Sequence, residues 1–260
     1  IEEIKEKLEE VKKISDKVLE FSKSLIKKNA KILEIAETIE AKILELGGGI
    51  AFPVNISIND DAAHYTPDID DQTILREGDL VKVDIGIHVD GYICDRAFSV
   101  SIGKNEENER MIKVAEKTLQ EALKLIKPGV KVCEVSQLVE EMITEEGFNP
   151  VRNLSGHGLG RYVIHTEPTI PNGKNNIQRE FKEGETIAME VFVTNGLGWI
   201  KESSLSLIFS YVKDVPIRIW EARKILRVIR ERYKTLPFAK RWIKDIPPFK
   251  LDFTLRRMVE

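Results

Sequence analysis

The 260-residue sequence predicts an α+β fold. Three observations lead there. Helical spacing of apolar residues gives way to period-two alternation near residue 50. The same order, helix, helix, strands, then returns from about residue 105 to 213. A two-residue turn signal, Asp90-Gly91, sits inside the cleanest alternating stretch.

Ile4, Leu8, Val11, Ile14 and Val18 recur at three- and four-residue spacing, as do Ile32, Ile35, Ile39 and Ile43, so residues 1 to about 46 predict two amphipathic helices. Gly47, Gly48 and Gly49 end the second. Strands follow from Phe52 to Ser101, with Pro53, Pro67 and Asp90-Gly91 as punctuation. Asn105 is placed to cap a helix that runs to Ile126 and stops at Pro128 and Gly129. Another helix carries Val135, Leu138, Val139, Met142 and Ile143 on one face and ends at Gly147. Residues 151 to 213 read as strands and loops. Pro216 suits a first helical turn, and Ile219, Ala222, Leu226, Ile229 and Tyr233 predict a third helical region. Residues 235 to 260, with Pro237, Pro247 and Pro248, read as broken helix. The two halves share an order of elements but little residue identity.

Hydrophobic residues make up 42% of the chain and charged residues 32%, with a net charge of −3, which disfavours nucleic acid as the main ligand. No apolar run approaches the roughly 18 residues of a membrane span. The charged, amphipathic start is unlike a secretory signal, and Ile1 in place of Met fits a processed or trimmed start. Cys94 and Cys133 show neither metal-ligand spacing nor a disulfide framework, which fits a reducing compartment. "GHGLG" is not a nucleotide-binding loop, and the sequence holds neither HExxH nor GxSxG. Cys94 should face the apolar side of its strand, as an inert thiol.

The stretch "VKVDIGIHVDGYICDRAFSV" raises the chemical question. Val81, Val83, Ile85, Ile87 and Val89 should share one face of a strand, and Lys82, Asp84, Gly86 and His88 the other. If Asp90-Gly91 forms a tight hairpin, Val89 pairs with Tyr92, Gly86 with Asp95 and Asp84 with Ala97. Asp84 and Asp95 are then diagonal neighbours on one face, about 7–8 Å apart at the backbone. Two carboxylates that close repel unless a proton or a cation intervenes. The competing reading is a wet sheet face. Glu190 in "GETIAMEVFV" lies between apolar residues of a buried strand, or on that strand's wet face. His64, His157 and His165, each ordinary alone, would complete with Asp84, Asp95 and Glu190 a plausible oxygen and imidazole metal site. His88 sits beside the turn and is read as solvated.

The segments "AFPVNISINDDAAHYTP", "KVDIGIHVDGYICD", "VRNLSGHGLGRY", "VIHTEPTIPN" and "GETIAMEVF" resemble, in order, those of the methionine aminopeptidases of type II, the archaeal and eukaryotic kind. The resemblance implies a pita-bread fold over residues 1–214, with halves of about 1–103 and 104–214, and a helical insertion over 215–260. It implies an enzyme that removes the initiator methionine from nascent chains in the cytoplasm. The partners it implies are the nascent N-terminus and, as a candidate, the ribosome, with no membrane or specific nucleic acid; the expected state is a monomer. Two divalent ions (cobalt, manganese, iron or zinc) are the implied cofactors. Asp84 would chelate one and Asp95 bridge both, with His157 and Glu190 on the second. His64 and His165 would flank the reacting amide, and Phe52 and Ile164 would wall the methionine pocket.

The resemblance also implies a fifth ligand, a bridging glutamate on a strand after the insertion. Neither Glu260, in a basic tail, nor Glu202, in "IKESS", matches it. The expectation is a fragment of a longer chain or a shortened relative, with a weaker cluster. The competing readings are a prolidase or aminopeptidase P, and a non-catalytic relative that binds ribosome, RNA or protein.

Overall fold

The structure, a computed structural model, describes residues 2–202, 206–214 and 218–259. Helix α1 (Glu2–Lys23) buries Val11, Ile14 and Val18. Ile4, expected on the same face, is exposed. Lys7 Nζ meets Asp90 of the hairpin turn at 2.9 Å, which ties α1 to the end of the hairpin. Helix α2 (Ile32–Glu45) buries the expected stripe of Ile32, Ile35, Ile39 and Ile43. Gly47, at φ +85°, takes the chain out of the helix in the left-handed conformation that glycine adopts without steric cost.

Strands β1 (Gly49–Ile58), β2 (Leu80–Val89) and β3 (Tyr92–Ser101) form an antiparallel sheet in that order. Asp90 and Gly91 have φ of +50° and +86°, as the hairpin turn requires. The expected register is observed, with Val89 opposite Tyr92, Gly86 opposite Asp95 and Asp84 opposite Ala97. The odd-numbered face of β2 packs on α1 and α2, and Val81, Val83, Ile85 and Ile87 are sealed in the first core. Cys94 lies against that core, and burial raises its thiol pKa.

Helix α3 (Glu106–Leu125) starts at Asn105, whose side chain accepts from the backbone N–H of Asn108 at 3.0 Å. Helix α4 (Val132–Glu145) follows. It repeats α2 at an offset of 100 residues. Lys31 bridges to Ile74 and Lys131 to Glu180 just ahead of the two helices, and Gly147, like Gly47, has positive φ. Asn29 N–H donates to Leu75 O, and Gly129 N–H to Phe181 O. Strands β4 (Asn149–Pro150), β5 (Ser155–Gly160), β6 (Val163–Pro171), β7 (Thr186–Ala188) and β8 (Val193–Thr194) complete the second half. β5 lies between β6 and β7, all antiparallel, and β4 pairs with β8.

Beyond β9 (Ile208–Phe209), helix α5 (Trp220–Arg232) buries Ala222, Ile225 and Ile229. Two expectations shift here. Ile219 lies outside the helix as its N-cap, and Ile225 rather than Leu226 is the sealed residue. Pro216 lies outside the described residues. The segment read as broken helix contains β10 (Phe238–Ala239), paired with β9, a turn of 3₁₀ helix (Lys240–Trp242) and α6 (Pro248–Val259). Pro248 occupies the first position of α6, where its missing N–H costs nothing, so proline here starts a helix. Ile225, Ile229, Phe238, Ile243, Leu251 and Leu255 form their own core. No helix among the described residues is long and apolar enough to cross a membrane.

Candidate metal centre

Asp95 on β3 projects from the even face of the hairpin toward His157 on β5, so the two halves meet at charged groups. His157 Nε2 lies 2.9 Å from Glu190 Oε1 and 3.5 Å from Asp95 Oδ2. One ligand atom from each of Asp95, His157 and Glu190 falls within 4.8 Å of the others. Asp84 joins them through a side-chain hydrogen bond with Asp95, and its Oδ1 is buried without a hydrogen-bond partner among the described residues. The four expected ligands therefore converge, and the wet-face readings of Asp84 and Asp95 do not describe them.

The protonation of this cluster follows from its crowding. Burial, then the negative charge of Glu190, pushes Asp84 up to about 7, against the pull of Asp95's hydrogen bond and the charge of His157. Asp95 is raised well above its ordinary range by burial and by the charges of Asp84 and Glu190. The two titrate as a pair. Burial opposes a charged His157, but Glu190 and the Gly158 carbonyl outweigh it, and the net direction is upward. His157 Nδ1 lies 3.1 Å from the Gly158 carbonyl, which can only accept. Its proton is therefore held on Nδ1, and Nε2 faces the carboxylates, the arrangement that orients an imidazole as a ligand.

Local sequence explains why these side chains can approach. The glycines of "SGHGLG" make room on both sides of His157. A Cβ on Gly156 would fall 2.6 Å from Ala188 O, and one on Gly158 would fall 2.2 Å from Glu167 O. Glu190 departs from expectation in its backbone. The strand ends at Ala188, and residues 190–192 are held by the fully buried Asn172. Asn172 Nδ2 donates to Glu190 O at 2.8 Å, and Phe192 N–H donates to Asn172 Oδ1 at 2.7 Å. A carboxamide thus replaces the partner strand. "IPN", ending at Asn172, was visible in the sequence, but nothing in its spacing tied it to Glu190.

His64 and His165 line a cleft of about 370 Å³ together with His157 and Glu190. The rings of His157 and His165 stand edge to face, 4.4 Å between centroids. Burial, then the charges of His157 and His64, lowers the pKa of His165. His64 sits at φ +62° in the loop between β1 and β2. Phe52 and Ile164 meet in one apolar cluster with Ala51, Ile93 and Leu236. Phe52 lies flat on Gly86, where a Cβ would fall 2.2 Å from its ring. Leu236 carried no sequence signal. His88 is not a solvated group. Its ring covers Gly49, stands edge-on to Tyr162 at 5.4 Å, and its Nδ1 accepts from Gly91 N–H at 3.2 Å. Glu202 is exposed.

The donor set fits divalent metal. Two carboxylates and one imidazole share a point, and a third carboxylate, Asp84, is hydrogen-bonded to one of them. Asp84 Oδ1 is sealed with no hydrogen-bond partner among the described residues, a costly arrangement unless a cation supplies the missing interaction.

The chain is similar to known proteins over most of its length. A methionine aminopeptidase of Archaeoglobus fulgidus is 44% identical over 246 residues, 95% of this chain and 84% of that protein. The crystal structure of a methionine aminopeptidase from Thermotoga maritima superposes with a TM-score of 0.72 at 26% identity, over 76% of this chain and 83% of that one. The structure of a thermophilic Arx1 shares the fold over 97% of this chain and 79% of that one, with a TM-score of 0.82 at 19% identity. Residues 6–219 match Metallopeptidase family M24, and the chain belongs to that family.

Proposed function

We propose that this chain is a methionine aminopeptidase, which removes methionine from the N-terminus of a polypeptide with divalent metal at Asp84, Asp95, His157 and Glu190. The observation that carries the reading is that Asp95, His157 and Glu190, distant in sequence, share one point with Asp84 hydrogen-bonded to Asp95, and that His157 and Glu190 also line a cleft. The relatives named methionine aminopeptidase support it.

Asp84, Asp95, His157 and Glu190 would hold the divalent metal. When bound, divalent metal would supply Lewis acidity and a water acidified toward neutral pH. The chain supplies the rest. The rigid hairpin fixes the two aspartates, and Gly158 keeps His157 Nδ1 protonated so that Nε2 faces inward. His165, kept uncharged by burial and its neighbouring imidazoles, can hydrogen-bond the reacting amide while adding no net charge. His64 flanks the amide from the opposite loop. Phe52 and Ile164 hold the methionine side chain by apolar contact, which discriminates only about 1–3 kcal/mol per methylene. Leucine or norleucine should therefore be rejected weakly and charged side chains strongly. The substrate is the N-terminus of a nascent chain, met in the cytoplasm by a monomer, with the ribosome as a candidate docking partner.

The test is a peptide panel with the metal-loaded chain. Met-Ala and Met-Gly starts should be cleaved and Xaa-Pro bonds left intact. Asp95→Asn should abolish metal-dependent turnover with an unchanged circular dichroism spectrum. Preference for Xaa-Pro bonds, or full turnover by the variant, would overturn the reading.

A further inference from the structure

Glu40 and Arg241 are 201 residues apart in sequence, and both are buried, at 6% and 4% exposure. Arg241 meets the carboxylate as a fork, with Nη1 donating at 2.8 Å and Nη2 at 2.5 Å. A buried ion pair is weak grounds for stability, because the desolvation of two charges offsets their attraction. What this one joins is more informative.

The register between β1 and β2 shifts between Phe52 and Asn55, which takes Val54 out of the ladder. Val54 N–H donates instead to Glu40 Oε1 at 3.2 Å, and Thr66 Oγ1 donates to Val54 O at 2.9 Å. Arg241 completes the circuit. Nη2 donates to Thr66 Oγ1 at 3.2 Å and Nε to Pro67 O at 3.1 Å. Trp242 Nε1 fills the remaining space on Glu40, at 3.0 Å. The next residue back, Lys240, donates to Asp68 Oδ2 at 2.5 Å.

All of these contacts on the 59–79 loop fall two to four residues after His64. The loop's other end is held by Lys82 Nζ on Asn59 O at 2.6 Å. Between the two anchors His64 sits at φ +62°, a conformation uncommon for L-residues, and the adjacent Tyr65 O accepts from Ile56 N–H of β1 at 2.7 Å. The loop has no strand or helix of its own.

We propose that Arg241 is a positioning residue for His64: paired with Glu40, it locks the His64 loop to the bulged strand that carries Phe52. The C-terminal segment thereby sets catalytic geometry from outside the cleft. This rests on the reading that His64 faces the reacting amide. Arginine is needed because one planar fork must satisfy a carboxylate, a hydroxyl and a carbonyl together, which an ammonium group does not do.

The test compares kcat, KM, thermal midpoint and amide exchange in the metal-loaded chain for Glu40→Gln/Arg241→Met, which strands no buried charge, and for Thr66→Val, which removes one hydroxyl. Both are made in the His64 and His64→Ala backgrounds. Displacing His64 should lower kcat about 10- to 100-fold in the double variant, and by less in Thr66→Val, with KM changed less than about threefold. Exchange should rise in residues 59–68 and not in the β2–β3 hairpin. In the His64→Ala background both effects on kcat should vanish, because residues that act through one another are not additive. An equal loss of kcat in both backgrounds would show a general structural role and overturn the proposal, as would unchanged kcat or exchange. Full turnover by His64→Ala alone would instead remove the reading of His64, and the proposal with it.

Discussion

Binding of a divalent cation below neutral pH should expel protons, and their number follows from the cluster. In the metal-free chain Asp84 titrates at about 7, Asp95 is raised well above its ordinary value, and His157 is raised by Glu190 and the Gly158 carbonyl. At pH 6 a group of pKa 7 keeps its proton in about 90% of molecules. Metal ligands must be deprotonated, so loading at pH 6 should release the protons of Asp84 and His157, about two in all. Two released protons make apparent affinity rise about a hundredfold per pH unit in that range. Calorimetric titration of the stripped chain with Mn²⁺, in buffers of different ionisation enthalpy, counts them directly. The same linkage acts on stability. A carboxyl whose folded pKa lies above its unfolded value stabilises the fold fully below the unfolded pKa and loses that contribution as pH rises through the folded one. Asp84 should therefore cost the metal-free chain stability as pH rises from about 4 to about 7, Asp95 should act in the same direction, and bound metal should flatten the slope. Release of fewer than one proton at pH 6, with affinity flat from pH 5.5 to 7.5, would refute the reasoning.

Two substitutions test the scaffold. Gly86→Ala places a methyl group 2.2 Å from the Phe52 ring, so the ring must leave its seat. The urea midpoint should report about 1–3 kcal/mol of destabilisation, and KM for a methionine-initiated peptide should rise. Asn105→Ala removes the cap on α3 and should cost about 1 kcal/mol, a melting shift of about 2–4 °C, with kcat unchanged.

The hairpin was legible because its two determinants are local. Alternation put Asp84 and Asp95 on one face, and Asp90-Gly91 set the register that brings them together. Most of the helices were legible for the same reason. What escaped was carried by contacts between distant segments. The 100-residue offset between α2 and α4 is written in paired backbone hydrogen bonds rather than in residue identity. Glu190 lost its expected strand to the carboxamide of Asn172. Strand alternation places His88 on the open face beside the turn and says nothing about the ring of Tyr162 folded over it. Proline read as a breaker hid α6, since its effect depends on whether it falls inside a helix or at its first residue.

Anomalous diffraction from crystals of the chain grown with Mn²⁺ addresses the central claim most directly. The account requires anomalous peaks bounded by the carboxylates of Asp84, Asp95 and Glu190 and by Nε2 of His157. Manganese bound elsewhere, with no peak among those four groups in a preparation that cleaves methionine-initiated peptides, would contradict it.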